Sequence, residues 1–167
     1  MIYDAQTHAK LAAILSHKKI FERGITAYLK RIFTGVGVVS TYDAADISTP
    51  CISVDFEAGA AQNKTVKTPL TGWHEDYIFS ASLAVQYISR RESDPAAHFD
   101  FVAKLRAAFC AGFIMDNDNL PLDPLLINQI DFAGEASAYD DTYRADITAL
   151  SFDLNYMIKP TAFDAGA

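Results

Sequence analysis

The order of hydrophobic patterns along the chain predicts an α+β sandwich, an antiparallel or mixed β-sheet of four or more strands with two or three α-helices packed on one face. Three observations carry this expectation. A helical stripe of apolar residues opens the chain, strict apolar/polar alternation runs through Tyr77 to Arg90 and Arg144 to Ile158, and a further amphipathic helix falls between these two stretches. The length of 167 residues suits one domain. It is predicted over 1–160, with an extended arm at 59–76 and a flexible tail at 161–167.

From Asp4 to Phe33, the residues Leu11, Ile14, Ile20, Phe21, Ile25, Leu29 and Ile32 recur mostly three, four or seven apart, as on an amphipathic helix. The pattern weakens around Ser16 to Lys19, which allows two helices meeting there. Gly24 costs the second part about 1 kcal/mol relative to alanine, and Gly35 and Gly37 end it. Cys51 to Ala58 alternates, with Ile52, Val54, Phe56 and Ala58 on one side and Ser53, Asp55 and Glu57 on the other. Gly59 to Glu75 has no period and is rich in turn formers, which predicts a long loop or an extended hairpin arm.

The alternation of Tyr77 to Arg90 puts Phe79, Ala81, Leu83, Val85 and Tyr87 on one face of a principal strand. Asp94-Pro95 then supply an N-cap and a first-turn proline for a helix presenting Phe99, Val102, Leu105, Ala108 and Phe109 on one face, with Gly112 as terminator. Two more strands, Leu125 to Ala136 and Arg144 to Ile158, flank the turn Tyr139-Asp140-Asp141-Thr142. Phe79, Leu83, Val85, Leu150, Phe152 and Leu154 are predicted to fill the core against the helices.

Charge and motifs narrow the function. Fourteen Lys plus Arg against 21 Asp plus Glu leave a net charge of −7, which disfavours general attraction to phosphate backbones. No apolar run approaches the roughly 20 residues that span a bilayer, and Met1 to Lys10 lacks the pattern of a signal peptide, so the protein is expected in the cytoplasm where it is made. Cys51 and Cys110 read as reduced, buried thiols. The histidines His8, His17, His74 and His98 show no metal spacing, and no cofactor is expected. Asp116-Asn117-Asp118-Asn119 opens like a calcium loop, but Pro121 stands where such a loop needs glycine and Ile127 where it needs a bidentate glutamate. No nucleophile elbow, phosphate loop or dinucleotide fingerprint is present. Of the acidic clusters, His74-Glu75-Asp76 is the one with proton-transfer potential. The basic pairs Lys18-Lys19, Lys30-Arg31 and Arg90-Arg91 read mainly as solubilising.

The pieces in order resemble the tail terminator and related neck proteins of tailed bacteriophages. The residues that carry the resemblance are a helical N-terminus, the strand Pro50-Cys51-Ile52-Ser53-Val54-Asp55-Phe56-Glu57-Ala58-Gly59, a polar arm, and the long strand Tyr77 to Arg91 followed by a helix near His98. The closing hairpin follows, from Ile127 to Gly134, through Asp140-Asp141, to Ala149-Leu150-Ser151-Phe152-Asp153-Leu154-Asn155-Tyr156. The likeness spans Asp4 to Lys159 and rests on element order and strand texture.

The resemblance implies a non-enzymatic virion protein of the tail or neck, assembled in the host cytoplasm. It would form a homo-hexameric ring, cap the tail tube, contact tube or sheath protein, and dock to the head-tail connector. Genomic DNA would pass through the acidic ring without specific binding, and no membrane is involved. A head-tail adaptor, stopper or minor tail component is the nearest alternative, and a small α+β enzyme using His74, Glu75 and Asp76 the more distant one. Interface candidates follow from side-chain physics: Trp73, His74 and Glu75 in the arm, because an aromatic in a polar segment is a frequent anchor, and the pair Arg90 and Arg91 at the end of the long strand.

Overall fold

The computed structural model describes residues 5–40, 49–61, 64–68, 72–76, 78–91, 96–110, 122, 123 and 125–158. The Asp94-Pro95 cap, Gly112, the Asp116–Asn119 run and the tail from Pro160 lie outside the described residues. A five-stranded mixed sheet carries three helices, an α+β fold. The elements are α1 (Ala5–Leu15), α2 (His17–Ile32), β1 (Gly37–Ser40), β2 (Cys51–Ala61), β3 (Lys64–Thr68), β4 (Gly72–Asp76), β5 (Ile78–Arg90), α3 (Ala96–Ala108), β6 (Leu125–Asp140) and β7 (Ala145–Ile158). The sheet order is β1-β2-β5-β7-β6, with β1 parallel to β2 and every other pair antiparallel.

One sheet face is apolar because alternation aligns across strands. Phe56 pairs with Leu83 and Leu83 with Phe152, so a single cross-strand row joins β2, β5 and β7. Phe21 of α2 stacks on Phe56 at 4.3 Å between ring centroids, and Tyr156 meets both rings edge-on. Leu83, Val85, Leu150, Phe152 and Leu154 are buried, and Phe79 is half-buried against His17 and Tyr156. The Tyr28 hydroxyl donates to the Ala108 carbonyl at 2.6 Å, so α2 satisfies an orphan acceptor at the end of α3.

The helical stripe divides into two helices at Ser16, where the sequence allows such a break, and the Ser16 hydroxyl turns back onto the Ala12 carbonyl. Other sequence expectations need correction. Gly35 and Gly37 do more than end a helix: Gly35, at φ +86°, turns the chain into the unanticipated strand β1, whose first residue is Gly37. Ala58 is exposed, because β2 there runs out beyond the helices toward the arm. Phe99 is 53% exposed, since α3 turns His98, Val102, Leu105 and Ala108 inward instead. Cys110 is exposed while Cys51 is buried. The amides of Phe109 and Cys110 bond back three residues, to Arg106 and Ala107, and this tighter turn buries Phe109 and leaves Cys110 outside.

Candidate functional site

The arm between β2 and β5 forms a two-stranded ladder of its own, with Trp73 opposite Lys67, His74 opposite Val66 and Glu75 opposite Thr65. Trp73, His74 and Glu75 therefore occupy successive positions of β4, and their side chains lie outside what is described. Arg90 and Arg91 lie at the far end of β5, away from the arm. Arg91 is committed within the fold. Its Nη2 donates to Asp146 Oδ1 at 2.8 Å, and its guanidinium covers the Tyr139 ring at 3.7 Å. That hydrogen bond, against a small opposing effect of burial, lowers the Asp146 pKa from its ordinary value.

Two buried polar groups hold the layers together. Beyond Val54, β1 has ended and, among the described residues, no strand pairs with the outer edge of β2. Lys18 and Glu22 fill that gap from α2: Glu22 Oε1 accepts from the Phe56 amide at 3.2 Å, and Lys18 Nζ donates to the Phe56 carbonyl at 2.7 Å. Lys18 also lies 3.1 Å from Glu22 and 3.0 Å from Asp55. Burial works against its ammonium, but these acceptors outweigh it and the Lys18 pKa is raised.

The second group is a chain of hydroxyls around His98. Ser89 Oγ lies 2.6 Å from Nδ1, Thr148 Oγ1 lies 2.8 Å from Nε2, and Ser137 Oγ lies 2.9 Å from Thr148 Oγ1. A serine beside a histidine is the start of a nucleophilic pair. Here the far nitrogen ends on another hydroxyl, and the nearby Asp146 carboxylate acts on the ring only through space, too weakly to reverse the effect of burial. The ring is also sealed under Tyr87, stacked at 5.1 Å. The arrangement is suited to satisfying a buried imidazole where β5, β6, β7 and α3 meet.

Desolvation lowers the pKa of both His17 and His98 from 6.5; for His98, Asp146 opposes the shift without reversing it. The unfolded chain therefore takes up protons below about pH 6.5 that the native chain resists, so stability is complete above that pH and is lost as pH falls. We expect the urea midpoint to drop between about pH 7.5 and 5.5, and His98→Gln to reduce the drop. Equal midpoints at both pH values would contradict the burial of these rings.

The middle of the opposite face of the sheet is polar and built mostly of small residues, while Ile88 beside Ile147 and Ile78 beside Met157 make its two ends apolar. Asp131 pairs with Asp153, Ser82 with Asp153 and Glu57 with Ser82, forming one row across four strands. Gln129 donates to Asp131 at 2.6 Å. A cleft of about 180 Å³ opens between Ser80, Ser82, Asp131, Asp153 and Asn155. Among the described residues of this face, Arg90 at the end of β5 is the sole basic one. Sequence reasoning identified the wet side of each strand, but the alignment of its carboxylates depends on register. Among the described residues, no group of three or more His, Cys, Asp or Glu is placed to hold a metal, and no helix is long and apolar enough to cross a membrane.

The sheet's outer strand β6 is exposed on both faces from Asp131 to Ala133 and from Glu135 to Tyr139. Beyond it, the turn to β7 is organised by Asp140 Oδ1, which accepts from the amides of Thr142 and Tyr143. Arg144 takes the left-handed conformation at φ +50°, and Tyr143 is 75% exposed.

No protein-family profile and no curated protein matches the chain. Solved structures do share its outline. One chain, in a structure described as the virion of a native gene transfer agent particle, is 11% identical with a TM-score of 0.47, over 87% of this chain and 96% of that one. Another solved chain is 14% identical with a TM-score of 0.51, over 84% of this chain and 92% of that one. At such identities the second likeness establishes the α+β fold and its near-complete extent.

Proposed function

We propose that the chain is a structural protein of a phage-like virion, a tail terminator that closes into a six-membered ring on the tail tube and docks it to the head connector. The observation that carries this reading is the layout of the sheet. Helices cover one face, and the middle of the other is a surface of Ser, Ala, Gln, Asn and carboxylates, flanked by Ile88 and Ile147 at one end and Ile78 and Met157 at the other, with Arg90 as the one described cation that could attract phosphate. Turned toward a channel, that face lets DNA slide, and it leaves the two edges of the sheet for neighbouring subunits. The gene transfer agent chain is in keeping with the proposal, which does not depend on it. No catalytic step is assigned to the protein.

In this reading the β3–β4 arm, with Trp73, His74 and Glu75, reaches the tail tube, and Arg90 meets an acidic partner at the other end of the sheet. Because Ala61 already pairs with Phe79, residues 63–76 can be replaced by a short turn without interrupting the five-stranded sheet. We expect the armless variant to keep the parent's circular dichroism and melting point, yet fail to cap tail tubes in electron micrographs where the parent forms terminal rings. Parent protein that leaves tube ends bare would refute the terminator role. Capping by the armless variant would move the tube contact elsewhere.

A further inference from the structure

The charges of this acidic chain are segregated, with a basic stripe on the outer side of α2 and an acidic hairpin at the β6 edge of the sheet. On α2, Lys19, Arg23 and Lys30 are exposed at helical spacings of four and seven, which places them within about 40° of one line and spreads them over roughly 16 Å. The one carboxylate of that helix, Glu22, is buried against Lys18 and neutralises nothing on the stripe. Since α2 packs its Phe21, Ile25, Tyr28 and Leu29 face on β1 and β2, the stripe, about half a turn away, runs along the outer side of the helical layer.

The other surface is at the β6 edge of the sheet. Between Asp131 and Asp153 the β6–β7 hairpin has six carboxylates and one basic residue, Arg144. Glu135, Asp141 and the aromatics Tyr139 and Tyr143 are exposed there, Arg91 lies over the Tyr139 ring and pairs with Asp146, and among the described residues no strand lies on the outer side of β6. From Glu135 to Asp141 the hairpin extends about 20 Å, close to the length of the basic stripe.

We propose that these two surfaces are the two halves of one subunit contact: the Lys19, Arg23 and Lys30 stripe of one copy lies along the β6–β7 hairpin of the next. The surfaces are unlike and complementary in charge, so the contact is head-to-tail, the type that closes into a ring when its rotation permits. It also covers the exposed edge of β6, which would otherwise be open to indiscriminate strand pairing. The inference rests on the ring reading above and assigns its interface.

Charge reversal tests it. One variant carries Lys19→Glu and Arg23→Glu, the other Glu135→Lys and Asp141→Lys; all four positions are exposed, so the melting point of each should stay near the parent's. At low salt and high protein concentration the parent should form rings that weaken as salt is raised. Each variant alone should be monomeric, and an equimolar mixture should recover rings in which the two alternate, which an even-numbered ring allows. Rings formed by either variant alone would overturn this interface and leave the ring standing. A parent that stays monomeric under these conditions would overturn both, and a mixture that stays monomeric would overturn the pairing of these two surfaces.

Discussion

Replacing Lys18 by alanine is expected to cost about 3 kcal/mol of stability, the low end of the range for removing one partner of a buried ion pair. Glu22 has no solvent exposure, and its carboxylate, which accepts from the Phe56 amide, would lose the Lys18 counter-charge 3.1 Å away. Lys18 is 41% exposed, so water tempers the loss and the upper end of the range does not apply. Adding Glu22→Gln should recover most of it. The amide oxygen can still accept from Phe56, and no buried charge remains. Urea unfolding of the three proteins checks this; a Lys18→Ala loss under about 1 kcal/mol would mean the β2 edge is not sealed by this pair.

Replacing Phe152 by alanine should be costlier still, about 3 to 5 kcal/mol, and Leu83→Ala about 2 to 5 kcal/mol. Phe152 is 2% exposed, stacked on Phe109 at 4.9 Å and edge-on to Phe132 at 5.8 Å. These neighbours come from α3 and β6, and both are anchored elsewhere, Phe132 also by Arg106 lying over its ring at 3.8 Å. The site therefore cannot collapse around the truncation, and the cavity adds to the lost burial. At roughly 2–4 °C per kcal/mol for a domain of this size, the melting point should fall visibly in both variants. A shift within a degree would place the side chains outside the core.

The strands that bury one face were legible because burial writes period two into the sequence: β5 and β7 appear within a residue of their expected limits. Strand β1 was not, since four residues between glycines hold too little pattern, and its parallel pairing with β2 is long-range. For the arm the sequence leaves a long loop and an extended hairpin both open, because Lys64–Thr68 and Gly72–Asp76 show no sustained alternation of apolar and polar residues; the β3–β4 ladder is the hairpin. Phe99 was misplaced because a helical wheel cannot know that His98, satisfied by Ser89 and Thr148, takes the inward position. The role of Lys18 and Glu22 was hidden because their partner is the backbone of β2, which has no residue signature. The basic stripe could have been found. Lys19 and Lys30 were noticed as members of pairs, and only the helical spacing that adds Arg23 reveals one line.

Assembly tests the account most directly, through the mass of the protein in solution and bound at tube ends. The account expects closed particles of six copies, about 110 kDa from a chain of 18.3 kDa, with sixfold symmetry in averaged images. Open filaments, twofold dimers or a persistent monomer on the tube would contradict it.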